Sequence, residues 1–343
     1  MKPLAFLMMC SLVAKGLFAQ TTDSAVFYYD KGMEEKAAKR YREAEKAFQK
    51  SYGFNTEKVE THIEWGNVLL EQRRYQEAYY KFKKADSLQS NNNVVLEQIA
   101  QLSFNLRKYE DAIKVAKQLQ AAKYGSGWNW LIARSQYELQ FYAEAIKYCE
   151  AAFKETANNP EIVYIAGRSF MEMHNYKRAA GCFDQALAMD SSNATWMYEA
   201  GLAWYAVPDD KKALYWIEKA GQNGYKKTND YLENLATAYL NTGNLEKGVE
   251  MLIQVLERRP SDPELLYSIA EAYYKGKKYD SAIEYWDRIL EVDKKNANAL
   301  YMIGMCYQKK GDTAKGNQLC DKAIEMDPSL RKLKEEKKLP NGL

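Results

Sequence analysis

Histidine is nearly absent: only His62 and His174 occur in 343 residues, more than a hundred positions apart. A histidine general base or a His-rich metal site therefore has little to build on. The five cysteines show no CxxC or Cys/His spacing, which argues against zinc and redox chemistry. Gly125-Ser126-Gly127 lacks the third glycine and the preceding strand of a dinucleotide loop, and no P-loop lysine pattern occurs. Acidic pairs such as Glu34-Glu35 and Asp209-Asp210 read as solvated faces and helix starts. No enzyme and no cofactor is expected. Charge of one sign is also lacking. The 49 basic and 46 acidic residues leave +3, and Lys2 and Lys15 fall in a segment expected to be removed, so nucleic acid has no electrostatic footprint here. Only 7 prolines and 18 glycines interrupt a chain that is 47% apolar with 27 tyrosines, which suits a helix-rich folded protein and excludes a disordered one.

The one long apolar run, Leu4 to Ala14, is shorter than the ~20 residues of a membrane span and is followed by Lys15. With Lys2 before it and Leu17-Phe18-Ala19 then Gln20 after it, the run reads as a signal peptide over residues 1–19, cleaved after Ala19. The expected location is outside the cytoplasm: periplasmic, cell-surface or secreted, with no membrane span in the mature chain. Cys10 lacks the small preceding residue of a lipidation site. Of the four remaining cysteines, Cys149, Cys182, Cys306 and Cys320 read mainly as small buried hydrophobes. Cys306 and Cys320 fall on the two helices of one hairpin and are the candidate disulfide pair, subject to an inter-helix distance.

What is abundant is repetition. Small residues recur at Gly32, Gly66, Ala100, Ala133, Gly167, Gly201, Ala236, Ala270 and Gly304, at intervals of 33 to 35 residues. A second small series follows twelve residues later: Ala44, Ala78, Ala112, Ala145, Ala179, Ala213, Gly248, Ala282 and Gly316. Apolar residues four before and three after the first series, as in Leu266, Ala270 and Tyr273, mark one helix face. Ala44, Phe48 and Ser51 repeat the pattern around the second. Each unit is thus two amphipathic helices, with a turn at residues such as Arg73, His174, Pro208, Gly243 and Gly311, and usually a tyrosine two positions on. Small side chains let the paired helices cross closely. A lone hairpin cannot bury its apolar face, so the units must stack and the two ends need polar cover.

These residues resemble the tetratricopeptide repeat family: Gly or Ala in the first helix, Tyr at the turn, Ala and an aromatic in the second, and a terminal proline at Pro260 and Pro328. The resemblance covers residues 24 to 328, with Asp210 and Thr313 departing at the turn tyrosine. It implies an all-α solenoid of nine helix-turn-helix repeats over 20–328, coiled as a right-handed superhelix, and a role in protein recognition. Residues 329–343 are expected to form a short capping helix, from Ser329 to Leu339, and a tail. Gly125-Ser126-Gly127 and Gly221-Gln222-Asn223-Gly224 close the two irregular intervals and are candidate hinges or plain turn variants.

In this family certain first-helix positions line the concave groove, here taken as three before, one after and four after the small residue. The resemblance therefore places Trp130, Arg134, Tyr137, Tyr164, Arg168, Met171, Tyr198 and Tyr205 on one strip of repeats 4 to 6. Trp, Tyr, Met and Arg are enriched where interfaces carry their energy; the competing reading is packing between neighbouring first helices. Glu138 and Glu172, four residues beyond each arginine, are candidate partners for the guanidinium groups. Asn67 has no matching lysine, so the family's carboxylate clamp is not inherited. The expected partner is a protein, as an extended peptide or a helix; the alternative is a glycan or peptidoglycan stacked on Trp130 and the tyrosines.

Overall fold

The computed structural model describes residues 23–332, and the expected signal peptide lies outside them. These residues form two compact units that divide between His174 and Asn175. In the first unit, α1 (residues 23–37) pairs with α2 (Tyr41–Phe54), α3 (Val59–Glu71) with α4 (Tyr75–Leu88), α5 (Asn93–Asn105) with α6 (Tyr109–Ala121) and α7 (Trp128–Glu138) with α8 (Tyr142–Glu155); α9 (Pro160–Glu172) ends it. The second unit opens on α10 (Tyr176–Met189) and pairs α11 (Ala194–Ala206) with α12 (Asp210–Gln222), α13 (Asn229–Asn241) with α14 (Leu245–Leu256), α15 (Pro263–Lys275) with α16 (Tyr279–Val292) and α17 (Ala297–Lys310) with α18 (Thr313–Met326). The described residues contain no strand. The expected all-α fold of helix-turn-helix repeats is what the described residues adopt, with four hairpins in each unit and α9 and α10 on either side of the division.

The two small-residue series meet each other. A Cβ added to Gly304 would lie 2.7 Å from Cys320 Sγ and 2.8 Å from the Gly316 carbonyl, and one added to Gly316 would lie 2.7 Å from the Gly304 carbonyl. At Gly32 and Gly66 the obstruction is the ring of Phe48 or Phe82, which stands four residues after the second small residue. Close crossing thus seats a large side chain over a bare backbone. Phe48 and Phe82 are wholly buried as a result, each contributing about 1.5–3 kcal/mol.

Every turn within a hairpin has the same geometry. Lys39, Arg73, Arg107, Gln140, His174, Pro208, Gly243, Lys277 and Gly311 all have positive φ. In hairpin 1 the Lys39 N–H donates to the Lys36 carbonyl and the Arg40 N–H to the Glu35 carbonyl, the paired bonds of a Schellman stop. The same two bonds recur at Arg73 and Arg74, Gln140 and Phe141, Gly243 and Asn244, and Gly311 and Asp312. Pro208, with no N–H, keeps only the second, from Asp209 to Trp204.

First helices start on side-chain caps: Asn92, Asn159, Asn193, Asp262 and Asn296 each accept from backbone N–H groups of the first turn. The two irregular junctions are pinned by aromatic side chains. Trp128 is buried and its indole N–H donates to the Tyr124 carbonyl at 2.6 Å. Tyr231 is buried with its hydroxyl donating to the Ile217 carbonyl at 3.2 Å. These contacts favour turn variation over hinges.

At the C-terminal end Pro328–Leu330 forms a 3₁₀ turn capped by Asp327, and Leu330 is buried with Ala323 and Ile324 of α18. Arg331 and Lys332 are helical, and residues 333–339 of the expected capping helix lie outside the described residues. Cys306 and Cys320 stand as thiols. Cys320 faces Gly304, and residue 306, two positions on, is turned about 200° around α17, away from α18. The candidate disulfide is therefore absent for a reason of helical phase.

Candidate functional site

The strip expected on the first helices is present in the first unit and is built on its two arginines. Arg134 and Arg168 each stand one residue after the small residue of α7 and α9. The Arg134 guanidinium carbon lies 4.2 Å from the centroid of Phe104 on α5 and 5.6 Å from that of Trp130 on its own helix. Arg168 repeats this one hairpin on, 5.2 Å from Tyr137 on α7 and 6.0 Å from Tyr164 on α9. Each cation thus lies against an aromatic ring of its own first helix and one of the preceding first helix, within cation–π range. Trp130, Arg134, Tyr137, Tyr164, Arg168 and Met171 are all half-buried.

Phe104 supplies the nearest ring to Arg134, although it falls outside the eight strip residues named from the sequence; its register, four after Ala100, is the signal that finds it. Glu138 does not pair with Arg134. Its carboxylate instead accepts from the Tyr109 hydroxyl at 3.4 Å. The rings also meet the turn tyrosines, Phe104 with Tyr109 at 5.6 Å and Tyr137 with Tyr142 at 5.8 Å, so one side of each is packed within its hairpin while the guanidinium meets the ring from the next.

In the second unit the two expected residues part company. Tyr205 is exposed. Tyr198 is buried: its ring stacks on Tyr225 at 4.4 Å, and its hydroxyl accepts from Asn234 Nδ2 at 2.7 Å. Burial also holds its phenol pKa above the ordinary value. Tyr198 is thus a packing residue, because the irregular 223–228 connection lays Tyr225 over it.

Among the described residues no three His, Cys, Asp or Glu side chains gather as metal ligands, and no helix is long and apolar enough to cross a membrane. Burial pushes the Cys306 thiol up to about 11, so it is not a thiolate at neutral pH. His62 is buried with Nε2 2.9 Å from the Thr56 carbonyl, and His174 occupies the turn expected of it.

Stacked hairpins that display a strip of aromatic and basic residues on their first helices define a helical-repeat protein. A tetratricopeptide repeat family model matches residues 98–160, 164–225, 234–291 and 269–330, and the family described as anaphase-promoting complex, cyclosome, subunit 3 matches residues 37–119. The chain belongs to the tetratricopeptide repeat family, whose members generally mediate protein–protein interactions. Similar solved structures include YrrB, described as a TPR protein with an unusual peptide-binding site (25% identity, 56% of this chain and 98% of that one, TM-score 0.45). They also include the C-terminal part of a TPR repeat-containing protein from Cytophaga hutchinsonii (22%, 70% and 98%, 0.49) and a tetratricopeptide repeat protein from Parabacteroides merdae (14%, 68% and 93%, 0.47). No curated protein matches.

Proposed function

We propose that the chain is a non-enzymatic adaptor of the cell envelope, exported by its N-terminal signal, that takes a peptide or helix of a partner protein on the first-helix strip of its first unit. The observation that supports this reading is the repeated arginine-on-aromatic arrangement at Arg134 and Arg168. An arginine held against rings is pre-oriented and weakly hydrated, so ordering it on binding costs little. Large rings with a polar handle are also the residues on which interfaces concentrate their energy. Nothing in the strip favours a glycan, since Trp130, Tyr137 and Tyr164, the rings that would stack on sugar, already meet guanidinium groups.

A photo-crosslinking residue at position 164 in the native cells is expected to capture a discrete partner that the same residue at exposed Tyr215 does not. Arg134→Glu combined with Tyr164→Ala is expected to abolish the capture with the helical spectrum unchanged. Equal capture from both positions would reject the strip. N-terminal sequencing of the exported protein is expected to begin at Gln20; a cytoplasmic chain starting at Met1 would remove the envelope assignment while leaving the strip to stand.

A further inference from the structure

The residue five before the first-series small residue has one environment throughout the array, except at its start. Val95, Trp128, Ile162 and Tyr231 hold this position in α5, α7, α9 and α13, and none is more than 4% exposed. In α1 the position is Phe27, 62% exposed and the most exposed large apolar side chain among the described residues. Two other outward positions of α1 have changed character. Lys31 stands where α5 and α7 bury Ile99 and Ile132, and Glu34 where α3 and α5 bury Val68 and Leu102. A further hairpin stacked there would bury both charges, so α1 is built as an end face. Phe27 is the apolar residue that this polar cover leaves bare.

Phe27, Lys31, Glu34 and Ala38 are spaced four, three and four, which places them on a single stripe along the helix. The stripe is complementary to itself. Two copies of α1 laid antiparallel about a point between Gly32 and Met33 set each Lys31 opposite the other copy's Glu34 and each Phe27 opposite the other copy's Ala38. The flanking Glu35, which this register brings toward Asp30, is already paired with Arg40. Neither Lys31 nor Glu34 has an ion-pair partner among the described residues. The pairing is isologous, the same stripe meeting itself, and so closes at two copies.

We infer that α1 is a self-association surface and that its occupant is α1 of a second copy of this chain. The contact is a strip about 22 Å long, from fifteen residues at about 1.5 Å each, and about 10 Å wide, so the two copies together bury roughly 450 Å², well below the ~1,200 Å² of a standard stable complex. The dimer is weak and concentration-dependent.

Sedimentation equilibrium of the purified protein over a concentration series is expected to show a monomer–dimer equilibrium, absent in Phe27→Asp. Lys31→Glu and Glu34→Lys each place like charges opposite one another twice and are expected to weaken self-association about tenfold. An equimolar mixture of these two variants restores both pairings and is expected to recover the wild-type constant as a heterodimer. All these substitutions are on an exposed face, and unchanged circular dichroism confirms folding. A monomer at every concentration, or a dimer whose charge-reversed forms do not recover on mixing, would overturn the inference; so would association lost only on removing the residues before α1, which would make the leader the occupant.

Discussion

At the scale of single residues, the same amino acid has opposite effects according to register. Gly181 lies inside α10 with nothing within 4 Å of the place a Cβ would take, so Gly181→Ala gains helix propensity and is expected to stabilise by roughly 0.5–1 kcal/mol. Gly304→Ala drives its Cβ against Cys320 Sγ and the Gly316 backbone and is expected to destabilise by about 1–3 kcal/mol despite the same propensity gain; urea melts of the two variants measure the contrast. His62 supplies a pH dependence. Burial, then the charges of Lys81 and Lys84, holds its pKa below 6.5, against the gain from Thr56. The unfolded chain therefore binds a proton that the folded chain refuses, and the His62 contribution is full above about pH 6.5 and falls as pH drops toward the folded value. Melts at about pH 7.5 and 5.5 are expected to show a smaller loss in His62→Phe than in the wild type. Both effects have a readable part and a hidden part in the sequence. The small-residue series marks Gly304 as critical and leaves Gly181 outside it, but burial of His62 beneath Tyr52, which meets it edge-on at 5.4 Å, depends on the neighbouring hairpin.

At the scale of the element, the turns separate what a period reveals from what it conceals. Hairpin boundaries were legible because two small series twelve residues apart leave room for only one short turn. The left-handed residue in each turn was less legible, since glycine is its usual signal and only Gly243 and Gly311 provide it. Lys277→Gly, relieving a side chain held at φ 60, is expected to stabilise by up to about 1 kcal/mol, the left-handed cost less the added freedom of the unfolded glycine. Thermal melts of this variant measure the gain. The strip was half legible for a related reason. Register found both arginines and their own-helix rings and also marks Phe104 of α5, the partner ring of Arg134, whereas Tyr198 is buried by Tyr225 in an irregular connection that no repeat position describes.

At the scale of the whole molecule, each helix packs within its unit chiefly on its neighbours in the chain, with lighter contacts such as Asn234 of α13 on Tyr198 of α11 and Tyr79 of α4 on Asp111 of α6 reaching one helix further. Stability is then close to a sum of hairpin and interface contributions. Gly304→Ala is expected to raise amide exchange in hairpins 8 and 9 while α3 and α4 keep wild-type protection; a uniform rise along the chain would mean a single cooperative unit. The same local packing gives the repeat interval a further meaning. Asp262 and Asn296 stand 34 residues apart, each capping the start of a first helix. A chain spliced from Ser261 directly to Asn296 would therefore meet an equivalent joint, one hairpin shorter. Length in this architecture behaves as a counted quantity that recombination can change in whole steps.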